Sequence, residues 1–102
     1  MRRPVSVRWT PRARLRLASH LRVILEEDGP VVESKWARKL LNAPNILVEN
    51  PLIGRMVPEI GREDIREIVV SPYRVIYRVS APICHVLSVR HCRQRTTTVR
   101  RL

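Results

Sequence analysis

Long hydrophobic runs are missing from this chain. Nowhere in its 102 residues does an apolar stretch approach the roughly 18 residues a membrane helix needs, so no membrane partner is expected. The N-terminal MRRPVSVRWTPR is basic but has no apolar core, does not read as a signal peptide, and leaves the cytoplasm as the expected location. Cysteine is scarce. Cys84 and Cys92, if on one strand, lie eight steps of about 3.3 Å apart, too far for a disulfide. The neighbouring His85 and His91 would point to the faces opposite their cysteines, and there is no Cys-x-x-Cys pair, so no metal site is expected. No glycine-rich phosphate loop, internal repeat or Ser/His/Asp arrangement appears, and no cofactor is implied. Aromatics are few: two tryptophans, two tyrosines and no phenylalanine. Trp9 and Trp36 fall at apolar positions and read as core, which argues against a single-strand binding module built on base stacking.

Acid is missing from both ends. All nine acidic residues lie between Glu26 and Glu67, while residues 1–25 and 68–102 each carry seven arginines and no acid. The net charge is +11. Such a chain suits an anionic partner, since guanidinium binds phosphate and carboxylate in a bidentate manner. Charge alone does not choose among RNA, DNA, an acidic protein and a merely solvated surface.

What is present reads as one domain over residues 1–102, ending in a polar, basic tail from about residue 93 that is expected to fray. Val5, Val7 and Trp9 alternate with polar neighbours, as in a half-buried strand. Thr10-Pro11 then supplies a cap and a proline for a helix whose Ala13, Leu17, Leu21, Ile24 and Leu25 recur on one side. Asp28-Gly29-Pro30 breaks it and starts a second helix through Val32, Trp36 and Leu40, which should end near Pro44. LIGRMVPEIGRED, with two glycines and a proline, reads as a surface loop. Ile65–Val70, Tyr73–Val79 and Ile83–Arg90 are three β-branched runs with short connections, hence an antiparallel meander. Pro72 leaves the first hairpin register open. The expected class is α+β: a strand, a helical hairpin, then a three-stranded meander, with the helices on one face of the small sheet.

Within YRVIYRV (Tyr73–Val79) the tyrosines and valines share one face, and Arg74 and Arg78 the other. The tyrosines are expected in the core or at a groove rim, and the arginines either pair with Glu67 or line a cationic hollow with Arg66 and His91.

The succession ENPLIGRMVPE, DIREIVVSPYRVIYRV and VLSVRHCRQ, in that order and spacing, resembles the RelE/ParE superfamily of toxins from bacterial type II toxin-antitoxin systems. The resemblance spans about residues 4–95. It implies a growth-inhibiting protein held silent by a cognate acidic antitoxin, in a hetero-oligomer. Two activities occur in the superfamily: ParE-like inhibition of DNA gyrase, and RelE-like cleavage of mRNA on the ribosome.

Cleavage needs a proton acceptor, a cation for the phosphorane and a proton donor. By position the resemblance assigns these roles to Glu59, Arg74 and His91, with Arg66 as a second phosphate ligand. Cys92 stands where one nuclease branch has tyrosine, and the lysine-rich loop of the other branch is absent. The helical hairpin and the Asn-Pro-x-x-Gly-Arg loop look more like ParE, so gyrase inhibition is favoured over an mRNA interferase. A non-toxic basic nucleic-acid-binding module is the further alternative. Residues expected to meet the anionic partner or target are Arg66, Arg74, Arg78, Arg90, Arg93 and Arg95.

Overall fold

Local punctuation sets most element boundaries. In the computed structural model, which describes residues 4–94 and 96, β1 (Ser6–Trp9) leads into α1 (Pro11–Asp28) through Thr10. The Thr10 hydroxyl oxygen accepts the Ala13 N–H at 3.1 Å, and the same hydroxyl donates to the Val86 carbonyl at 2.9 Å. One side chain thus caps the helix and ties its start to the sheet. Gly29, at φ 86°, ends α1 with its N–H on the Leu25 carbonyl, a backbone region open to glycine at no steric cost. Pro30 then opens α2 (Pro30–Asn42). Pro44, which an α-helix interior rejects, falls in a 3-10 helix over Ala43–Val48.

Four more strands follow: β2 (Arg55–Met56), β3 (Ile65–Val70), β4 (Tyr73–Ser80) and β5 (Ile83–His91). They join β1 in one sheet of order β1-β5-β4-β3-β2, in which β2 to β5 are antiparallel neighbours and β1 runs parallel to β5. The expected meander is therefore the middle of a five-stranded sheet, with β4 at its centre. The stretch read as a surface loop is corrected: it contributes β2 and buries Gly54 and Val57. Both hairpins have two-residue connections, Val70 opposite Tyr73 and Ser80 opposite Ile83, each carrying a cis X–Pro bond.

The helices cover one face. Ala13, Leu17, Ile24 and Leu40 bury against Tyr73, Val75, Val86 and Val89, each such side chain contributing about 1.5–3 kcal/mol. Leu25, expected on this side, is instead 44% exposed. The spacing of Val86 and Val89 departs from strand alternation because the pairing shifts between Ile76 and Tyr77, leaving Leu87 without a partner on β4.

The Pro51-x-x-Gly54-Arg55 motif is pinned beneath this sheet. Tyr77 donates its hydroxyl to the Pro51 carbonyl and accepts the Gly54 N–H, both at 2.9 Å. A Cβ on Gly54 would lie 2.5 Å from that hydroxyl oxygen and 2.6 Å from the Glu67 carbonyl, so only glycine fits. The tail expected to fray lies, apart from residues 93, 94 and 96, outside the described residues, and Arg95 with it.

Candidate functional site

On the sheet face away from the helices, β4 presents Arg74 and β3 presents Glu67. Over them come Glu59, from the segment after β2, and the chain at Gln94 and Thr96, after β5. Arg74 donates through Nη1 to both oxygens of Glu59 (3.1 and 3.0 Å) and to Glu67 Oε1 (3.0 Å). Through Nη2 it reaches the Gln94 carbonyl and Thr96 Oγ1. Glu59 Oε2 also accepts the Thr96 N–H at 2.9 Å, and Arg55 Nε donates to Glu67 Oε2 at 2.6 Å. The Arg74 and Glu67 side chains are 6% and 0% exposed. Two guanidiniums and two carboxylates balance here, which is what keeping charge out of water requires.

Burial opposes ionisation of Glu59, but the Thr96 N–H and the Arg74 guanidinium outweigh it and hold the carboxyl below its ordinary range. Glu59 is thereby a firm anion that ties the C-terminal segment to the sheet. Beside the network opens a hollow of about 350 Å³ lined by Arg55, Glu59, Val69, Arg74, Arg93 and Gln94, with the exposed thiol of Cys92 at its wall.

The expected site residues do not all gather there. Arg74, Glu59 and Arg93 line the hollow. Arg66 pairs with Tyr77 and so belongs to the helical face, where its guanidinium donates to the Glu63 and Gly54 carbonyls, both at 2.9 Å. Arg78 shares the face of Arg74 but lies at the other end of β4, 3.5 Å from Asp64. Arg90 sits opposite Arg74 in register, and burial, then the charges of Arg16, Arg74 and Arg12, lower its pKa.

His91 pairs with Tyr73 on the helical face, its ring 5.6 Å from that of the tyrosine. Its Nδ1 accepts the Arg93 N–H at 3.1 Å. The bulge decides this: with Ser80 opposite Ile83 and unbroken pairing, His91 would emerge on the face of Arg74, and the extra residue Leu87 turns it over.

Residues not singled out for the site also matter. Arg55, quoted in the loop motif but given no role, both neutralises Glu67 and walls the hollow. His20 reaches from α1 to the Val89 carbonyl, its Nε2 donating at 2.8 Å, and packs edge-on against Tyr73 at 5.1 Å. His20, Tyr73 and His91 thus form a ring cluster under the helices, completed by Trp36 at 5.3 Å from Tyr73.

Residues 7–96 match the family described as the ParE toxin of the type II toxin-antitoxin system parDE. Among solved structures, the chromosomal ParDE toxin-antitoxin system from P. aeruginosa is similar, at 17% identity and a TM-score of 0.75, over 88% of this chain and 98% of that one. The RelBE2 toxin-antitoxin complex from Mycobacterium tuberculosis is similar at 22% identity and a TM-score of 0.61, over 86% of this chain and 98% of that one. At these identities the likeness is one of fold. No curated protein matches the sequence.

Proposed function

Because the chain belongs to the ParE toxin family of type II toxin-antitoxin systems, we propose that it acts by binding, as an inhibitor of DNA gyrase silenced by a cognate acidic antitoxin, rather than by cutting RNA. The observation that carries this reading is the separation of the groups cleavage would use. An RNase needs its base, its acid and its phosphate-stabilising cation within reach of one scissile bond. Here Glu59 and Arg74 neutralise each other on one face, while His91 and Arg66 lie on the other face. On β3 and β4, Arg66 aligns with Tyr77 and His91 with Tyr73, four residues apart along β4, or about 13 Å. A buried arginine shared between two carboxylates has little charge left for a developing phosphorane.

The test is a supercoiling assay with purified gyrase and the full chain, run beside a ribosome-bound mRNA cleavage assay. Inhibition of supercoiling without cleavage is expected, and His91→Ala should leave that inhibition intact. Cleaved mRNA that His91→Ala abolishes, with supercoiling untouched, overturns the proposal in favour of the nuclease. Harmless expression in the absence of any antitoxin overturns both.

A further inference from the structure

The outer edge of β3 is only half used. β2 pairs with Arg66 and Glu67 and then stops, because Gly54 is drawn away to the Tyr77 hydroxyl. Val57 donates its N–H to the Ile65 carbonyl, so Ile65 turns its backbone groups toward β2, and by strand alternation Glu67 and Val69 do the same. Beyond Glu67 no described strand meets the outward N–H and C=O of Val69.

A hollow opens on each side of this bare edge. On the helical side is an apolar groove of about 290 Å³, whose side chains include Ile46, Ile53 and Ile68. On the other side is the polar hollow of Arg55, Arg74 and Arg93 described above. Val69 and Arg55 line both. Ile46, Ile53 and Val69 are all exposed, flanked in sequence by exposed Leu52 and Met56, a concentration of apolar surface at odds with the cationic remainder.

We infer that the edge of β3 at Ile68–Val70 is a docking site for one extended segment of the antitoxin, a strand that alternates apolar and acidic side chains. This rests on the antitoxin reading above. The unmet backbone pair of Val69 asks for a strand rather than a helix, because only a strand returns both hydrogen bonds. Side chains of an added strand point alternately to the two faces. One set enters the isoleucine groove, and the other meets Arg55 and Arg93, where carboxylates suit the guanidiniums. A second copy of this chain does not fit, since pairing edge to edge would bring the two cationic hollows together.

The test uses the full chain and the acidic protein encoded by the adjoining reading frame, with affinity measured by calorimetry and amide exchange read at Val69. Binding is expected to slow exchange of the Val69 amide at least tenfold. Val69→Pro, which removes the outward donor without touching the bonds to β4, should weaken binding at least tenfold, and so should Ile53→Asp, which sets a carboxylate in the apolar groove. If the wild-type chain does not bind that protein, the antitoxin reading fails and this inference with it. If wild type binds tightly, both variants bind equally well and the Val69 amide still exchanges freely, the edge is not the site and the toxin reading stands. Protection of Val69 in the free chain that grows with its concentration assigns the edge to self-association and overturns the inference as well.

Discussion

Arg74 and Arg78 are the same residue on the same face of the same strand, four positions apart, and they have opposite fates. Arg74 lies under Glu59 and the segment at Gln94–Thr96, 6% exposed and committed to two carboxylates. Arg78 is 48% exposed and 3.5 Å from an aspartate that already has a second arginine, Arg62, at 2.7 Å. The difference teaches that strand periodicity assigns a side chain to a face, whereas depth is set by whatever distant chain passes over it. An arginine at the covered end becomes structure, and one at the open end remains available to a partner.

The comparison can be broken at its covered end. Arg74→Ala should destabilise the fold by about 3–5 kcal/mol, because Glu67 stays buried with only the exposed Arg55 to balance it and the Gln94–Thr96 segment loses its anchor. Urea denaturation gives the number. Proteolysis between Arg90 and Thr96 should quicken in the variant, and a loss under 1 kcal/mol would mean the network is not holding the segment. The next effect concerns the loop beneath. Gly54→Ala places a methyl group 2.5 Å from the Tyr77 hydroxyl oxygen and 2.6 Å from backbone, so a loss of about 1–3 kcal/mol is expected. Removing the hydroxyl in Gly54→Ala/Tyr77→Phe should recover only part of it, since the Glu67 carbonyl still clashes.

At the open end, Arg78→Ala should cost about 0–1 kcal/mol, and less in high salt, because Asp64 keeps Arg62. Denaturation curves of the two alanine variants in the same buffers set the contrast directly. Equal losses at the two arginines would remove the distinction between covered and open ends.

Much of this fold was legible because its boundaries are written locally. Thr10-Pro11, Gly29-Pro30, Ser71-Pro72 and Pro82 mark where elements begin or end, and alternation in Tyr73–Val79 separates the core face from the cationic one. The site was less legible, for three physical reasons. β2 is two residues long, too short for any period to show. Arg66 was grouped with Arg74 while the hairpin register stood open at Pro72; with Val70 opposite Tyr73, Arg66 must fall beside Tyr77. His91 was turned away from Arg74 by a single extra residue at Leu87, which no alternating pattern announces. The partners of Arg74 at Glu59, Gln94 and Thr96 stand 15, 20 and 22 residues away in sequence, contacts that only the folded chain creates.

The helical face offers the smallest and most conditional test of what cover does to a titratable group. His20 lies between α1 and β5, where burial lowers its pKa below the ordinary 6.5, the Val89 carbonyl opposes that, and the charges of His91, Arg16 and Arg90 add to the lowering. The folded chain therefore stays neutral at His20 over a pH range in which the unfolded chain has already taken up a proton, and proton uptake favours unfolding. Stability should be unaffected well above pH 6.5, fall as the pH drops below it, and level off once the folded-state pKa is passed. Urea midpoints of wild type and His20→Gln, taken from about pH 7.5 down to about 5.5, isolate the contribution. The glutamine variant keeps an N–H within reach of the Val89 carbonyl but has no proton to gain, so its midpoint should vary less across that range. An identical decline in both proteins would show that the slope comes from other groups and that cover over His20, unlike cover over Arg74, has no energetic consequence.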